Sequence, residues 1–260
     1  VFNAAFVYAQ AISGMAEYTV KESSEGIEAL NDPDMDPAMK KFIEEKLNDK
    51  LTSYYTLTFS GSRSKFAEQK KLDPAGGEVD LSWSPYGIDI AFYKELVLKE
   101  QIIEKDLMGK TFYVKDSIPG LKWQLFDETK NIGSFKCKKA IAVLPVSEEE
   151  KLAFEEEKAA YEQMPTQFFS LEEPTPTTLI AWYSTDVPVM HGPFEYGGLP
   201  GLILELNDGS RTILCSKVVV SQKQNEVEFP AKKKVVSTEE FEQIAEEKLK
   251  ELENQQKTAP

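Results

Sequence analysis

Histidine is nearly missing from this chain, which has one in 260 residues, and cysteine occurs only twice. A single histidine excludes a two-histidine zinc site and the HExxH arrangement, and any Ser-His or Cys-His mechanism would have to run through His191. Basic residues are also scarce beside acidic ones, 30 against 44, which leaves a net charge of −14. Such a surface repels the phosphates of nucleic acid and of anionic membranes, which argues against both as partners. No stretch approaches the roughly 20 apolar residues of a membrane helix, and no membrane span is expected. What the chain does have is 41% hydrophobic and 11% aromatic residues, enough to pack a core without metals or staples.

The first nine residues, VFNAAFVYA, are apolar and uncharged. They read as the remnant of a secretory signal peptide, with Val7 and Ala9 at a small-residue cleavage site and Gln10 as the first mature residue; the alternative is a first buried strand. Residues 10–260 are then expected to form one domain. In the oxidising compartment that a signal implies, Cys137 and Cys215 suggest one disulfide, against the alternative of two buried thiols. No cysteine follows the cleavage point, so the expectation is a soluble periplasmic or secreted protein without a lipid-modified N-terminus.

Three segments carry helical periodicity. Pro37 opens the first, Asp36–Lys50, with Met39, Phe42, Ile43 and Leu47 on one face. Ser147 and Glu150 form a capping box before a run that ends at Pro165, and Ser237 and Glu240 do the same before the helix expected over 238–255. Most of the rest alternates at period two: Ala16, Tyr18 and Val20; Tyr55, Leu57 and Phe59; Leu121, Trp123 and Leu125. Leu202–Leu206, a turn at Asp208-Gly209, and Arg211–Val220 read as a hairpin. Strands and helices do not alternate, which argues against a doubly wound parallel sheet. The expected class is mainly β (α+β): a curved antiparallel sheet, half-barrel or open barrel, with about three helices packed on it.

The most distinctive stretch runs from Trp182-Tyr183 through Pro188 and Gly192-Pro193 to Gly197-Gly198-Leu199-Pro200-Gly201-Leu202-Ile203. Its physical reading is a type II turn, Pro200 setting φ and Gly201 supplying a positive φ, with the paired glycines before it allowing close backbone approach. This stretch resembles the GLPGLI family, secreted proteins of Gram-negative bacteria named for the hexapeptide that stands here at Gly198–Ile203. The resemblance extends to Gly109-Lys110-Thr111-Phe112, Trp123, Glu128 to Gly133, Cys137 to Ala140, Ile213 to Lys217 and Thr238 to Phe241, most of residues 15–250. It implies an envelope protein with an outer-membrane TonB-dependent receptor as a partner. It brings no reaction, ligand or catalytic residue, and His191 lies outside its pattern.

The candidate sites are therefore few. Trp182, Tyr183, Pro193, Gly198, Leu199, Pro200 and Gly201 are the binding candidates; His191 with Asp186 and Tyr183 is the catalytic candidate, an envelope hydrolase being the alternative function. Ser62-Arg63-Ser64-Lys65 matches S-x-x-K without the companion motifs, and Gly109-Lys110-Thr111 lacks the first glycine of a phosphate loop. Asp32, Asp34 and Asp36 begin a calcium-loop spacing that fails at Pro37 and Ile43. No metal site or cofactor is implied. Asp116-Ser117-Ile118 matches a short O-glycan acceptor at Ser117. The leading expectation is a non-enzymatic protein whose aromatic-rich strands (Trp83, Tyr86, Phe92, Tyr93, Trp123, Trp182) enclose an apolar groove for a ligand or dock on the receptor.

Overall fold

A computed structural model describes residues 12–23, 36, 38–39, 41, 51–69, 88–147, 150–152, 154–155, 158–159, 173–221, 226–230 and 233–258. The expected signal remnant at 1–9 lies outside them, as do Trp83 and Tyr86. In chain order the strands are β1 (Ser13–Glu22), β2 (Thr52–Ser60), β3 (Arg63–Glu68), β4 (Ile88–Glu95), β5 (Glu100–Leu107), β6 (Lys110–Ser117), β7 (Gln124–Ile132), β8 (Phe135–Leu144), β9 (Thr177–Ser184), β10 (Leu202–Asn207), β11 (Arg211–Ser221) and β12 (Val235–Ser237). They form one sheet in the order β12-β6-β5-β4-β3-β2-β1-β11-β10-β9-β8-β7.

The fold is mainly β. Chain length alone shows that the sheet curls. The last residue of β6 and the first of β7 are seven residues apart, a reach of about 25 Å at full extension. Their strands stand ten places apart in the sheet, about 48 Å if it were flat at roughly 4.8 Å per strand. Only a curved sheet lets the 118–123 segment make that crossing. The outermost strands, β12 and β7, do not pair with each other, so the barrel stays open.

The inward residues are those the alternation selects. Ala16, Tyr18 and Val20 of β1 and Leu57 and Phe59 of β2 are buried in one cluster with Leu179, Ala181 and Tyr183 of β9 and with Leu202, Leu204 and Leu206 of β10. The hairpin between β10 and β11 forms as expected. Gly209 takes φ +86°, and Asp208 accepts from the Arg211 N–H at 2.7 Å and the Arg211 guanidinium at 2.7 and 2.9 Å.

Five expectations need correction. The sheet is mixed, because β12 runs parallel to β6. Leu121 and Trp123 precede β7 instead of alternating within it, and Leu125 is exposed. Among the described residues two helices are well defined where about three were expected. One is Thr238–Thr258, capped reciprocally by Ser237 and Glu240, with Phe241 and Ala245 packed on Leu107, Phe112 and Val114. The other begins at the Ser147–Glu150 capping box, and its described residues within 150–159 are helical. Of the first expected helix only residues 38, 39 and 41 are described as helical, next to an Asp36 carboxylate that accepts from the N–H groups of Ala38 and Met39.

The fourth correction is the disulfide. Cys137 and Cys215 are buried free thiols, on strands three places apart in the sheet. Burial pushes both thiols up to about 11, so they stay protonated and serve as small apolar side chains.

The fifth is the turn glycine. Positive φ occurs at Gly198 (+86°), where there is open space, and not at Gly201. Gly201 is required because a Cβ there would fall on the Ser184 carbonyl, where the register seats Leu202 opposite Ser184. Gly201→Ala should thus cost more than about 3 kcal/mol through overpacking, and Gly198→Ala only about 1–2 kcal/mol through backbone strain. Urea midpoints of the two variants check this ranking.

Candidate functional site

The inside of the open barrel is occupied by the chain itself. The 17 residues between β9 and β10, 185–201, turn back into the concave face, where Val187, Val189, Phe194, Tyr196 and Leu199 join the main core. Phe194 enters as a knob, with ring centroids 5.2 Å from Tyr55, 4.8 Å from Phe66 and 5.4 Å from Phe92. The Arg211 guanidinium lies 4.3 Å from the centre of its ring. Phe194 holds φ +45°, a strained value for a bulky residue that persists because its surroundings over-determine it.

Polar bonds secure the rest of the loop. Lys94 of β4 is fully buried and its ammonium donates to the carbonyls of Gly192 at 2.8 Å and Tyr196 at 2.6 Å. Burial lowers its pKa to about 7 and Glu195 opposes the shift; the two carbonyls also favour the charged amine, which has donors for both. The Trp123 indole donates to Gly197 O at 2.9 Å and the Tyr18 hydroxyl to Ile203 O at 2.7 Å.

His191 is wholly buried, and its Nε2 meets the Gly61 carbonyl at 2.9 Å. Since a carbonyl can only accept, Nε2 carries the proton, and Nδ1 is left buried without a partner. Burial lowers the histidine pKa to about 4. A neutral histidine tied to backbone, with its second nitrogen sealed in, has no substrate access.

Asp186 and Tyr183 do not join it. Asp186 is exposed in the turn after β9, its N–H bonded to Ser184 Oγ at 3.3 Å; Tyr183 is buried within β9. The three catalytic candidates thus form no constellation. Among the described residues no group of three or more His, Cys, Asp and Glu side chains could hold a metal ion.

An apolar opening lies at one end of the barrel, a cavity of about 640 Å³. Four chain segments meet there: the β2–β3 turn (Gly61, Ser62), the β4–β5 turn (Leu96, Val97, Lys99), the crossing segment (Ile118 to Leu121) and the loop (Pro188 to Met190, Gly197, Gly198), with Ile12 before β1. Val97 and Met190 remain 78% and 52% exposed at its rim, open to an incoming molecule.

Of the binding candidates only Gly198 lines this cavity. Pro193, Leu199 and Gly201 are buried within the loop and Pro200 faces solvent. Trp182 is half-buried beneath the Lys130 ammonium, 4.3 Å from its ring, and that lysine pairs with Glu205 at 2.6 Å. The aromatic strands do not line a groove either. Phe92 packs on Phe194, Tyr93 packs on Phe229 on the other face, and Trp123 bonds the loop. Sequence reasoning missed Lys94, although a lysine two residues after the inward Phe92 in an apolar strand carried the signal.

Residues 123–205 match the model of a family described as a protein of unknown function (Porph_ging), a span that covers β7 to most of β10 and the whole loop. No curated protein matches the chain significantly. Among solved structures, two crystal forms of PNGF-II overlay with TM-scores of 0.49 and 0.46 at 11% and 12% identity. They cover 90% and 88% of this chain and 33% and 31% of that one, so the chain spans about a third of the length of PNGF-II. The Mycobacterium tuberculosis lipoprotein LppX overlays with a TM-score of 0.28 at 9% identity, over 85% of this chain and 90% of its own. No helix among the described residues is long and apolar enough to cross a membrane.

The state of His191 sets an acid limit on stability. Its folded pKa, about 4, lies below an unfolded value near 6.5, so between these pH values the unfolded chain binds a proton that the native one does not. Its contribution is complete above about pH 6.5 and is lost as pH falls towards 4, about 3 kcal/mol in all. His191→Gln, which keeps a donor for Gly61 O, should flatten the fall of Tm between pH 6.5 and 4 relative to wild type. Parallel acid slopes in the two proteins would contradict it.

Proposed function

We propose that this is a non-enzymatic envelope protein of the GLPGLI type, secreted or periplasmic, that binds an apolar ligand in the cavity at the open end of its barrel. One observation carries the reading: a 640 Å³ cavity with largely apolar walls, within the 300–1,000 Å³ typical of small-molecule sites, on a chain whose only histidine is sealed in the core. The resemblance to GLPGLI proteins supports an envelope role, and the match to a family of unknown function is compatible with it. The hydrolase alternative loses its support, since its three residues lie apart.

The loop's own occupation of the concave face explains where binding is left to happen. Ligand chemistry is confined to the end of the barrel, where backbone turns supply a fixed rim. A TonB-dependent receptor is the partner this reading admits, contacting the exposed Val97, Leu98 and Met190 around the mouth.

Binding of the neutral probe N-phenyl-1-naphthylamine tests the reading. Wild-type protein should bind it with blue-shifted fluorescence, and Met190→Asp, at an exposed lining position, should weaken it by about tenfold through a charge placed on the apolar wall. The melting temperature should stay within a few degrees. Equal binding by both proteins would place the probe elsewhere and remove the cavity as the site.

A further inference from the structure

The cavity has apolar walls and one cation at its edge. Lys99 stands in the β4–β5 turn with φ +54°. Its N–H donates to Leu96 O at 3.3 Å and its carbonyl accepts from the Ile118 N–H at 3.0 Å, which binds the turn to the segment crossing towards β7. Lys99 lines the cavity and also borders a shallower hollow on the β6–β12 side.

Lys99 is exposed, and its place at the edge of the cavity sets it apart from other lysines without a carboxylate partner. Its ammonium has no ion-pair or hydrogen-bond partner among the described residues, although acids outnumber bases 44 to 30 in the chain. The carboxylates beside it in sequence are engaged: Glu100 with Lys115 at 2.7 Å, Glu95 with Arg63 at 2.7 Å and the Val97 N–H at 3.4 Å. Lys105, Lys130, Lys139 and Lys217 each meet a carboxylate as well. An unpaired ammonium at the edge of an apolar cavity, in so acidic a protein, is complementary to an anion that is tethered to something apolar.

We propose that the ligand is a single-chain anionic amphiphile, its alkyl chain against Ile12, Leu96, Ile118, Leu121 and Val189 and its carboxylate or phosphate head at Lys99 Nζ. This rests on the apolar-ligand reading above and adds the head group to it. The volume suits one small molecule, and hence one chain rather than a two-chain lipid. A charge-assisted hydrogen bond at this exposed position supplies selectivity between head groups, while the walls supply most of the affinity.

Displacement of N-phenyl-1-naphthylamine from the full chain by four twelve-carbon amphiphiles separates the possibilities: dodecanoate, dodecyl phosphate, dodecanol and dodecyltrimethylammonium, each below its micelle concentration. The anions should displace the probe at roughly three- to tenfold lower concentration than dodecanol, with the cation weakest. Lys99→Glu should abolish that preference and Lys99→Arg should keep it, with unchanged melting temperatures. Whichever anion leads identifies the head group as carboxylate or phosphate. If dodecanol matches the anions and Lys99→Glu changes nothing, the head-group assignment falls and the apolar cavity stands. If the probe fails to bind, or Met190→Asp leaves binding intact, the cavity reading falls and the ligand class with it.

Discussion

The structure depends on one buried lysine. Lys94 comes from β4, five places in the sheet from β10, and holds two carbonyls of a loop that hangs from β9 and β10. Taking a lysine wholly out of water is unfavourable by several kcal/mol unless its protons find acceptors. Here the acceptors are carbonyls of a loop that could not otherwise be buried without leaving its backbone polar groups bare. Each side thus solves the other's desolvation. Phe194 supplies the apolar half of the same arrangement, at a backbone angle that only a tightly packed site sustains.

The curvature of the sheet and the position of the cavity follow from this filling. A curled sheet of long strands needs something inside it, and here the filler is its own β9–β10 connection, not a bound molecule. The filler stops short at one end, where Gly197, Gly198 and Met190 meet the crossing segment 118–121. The glycines of the distinctive stretch serve this geometry. Gly192, Gly197 and Gly201 each lie where a Cβ would meet neighbouring atoms, and Gly198 makes the left-handed turn. The motif is a packing device that leaves a cavity beside it.

Much of this was legible from sequence. Period-two alternation in β1 and β2, the Asp208-Gly209 hairpin and both capping boxes are local signals; local hydrogen bonds realise the hairpin and the caps, while the alternation of β1 is realised by pairing with β2 and the distant β11. The open barrel was legible as a class. The parallel pairing of β12 with β6 was not, since only contacts distant in sequence decide it. The site was legible in its neighbourhood and misread in its parts. Trp182, Tyr183, Pro193, Leu199, Pro200 and Gly201 stand out by residue type, yet five of these six support the fold and Pro200 lies in water. The cavity is lined by ordinary residues such as Ile12, Leu96 and Ile118, gathered from four turns and connections, and no spacing rule joins them. Cys137 and Cys215 show the same limit, because a pairing argued from compartment meets two buried free thiols in the structure.

The central claim is that the 185–201 loop is part of the core and not a mobile cover over a groove. Amide hydrogen exchange, followed by mass spectrometry on peptides from the loop and from β1 and β10, measures this directly. If the Lys94 and Phe194 contacts hold the loop in place, the amides of residues 189–199 should exchange as slowly as those of the two central strands. Lys94→Met should release the loop while β1 stays protected. Loop amides that exchange within seconds in the wild-type protein would contradict the account and return the concave face to use as an open groove.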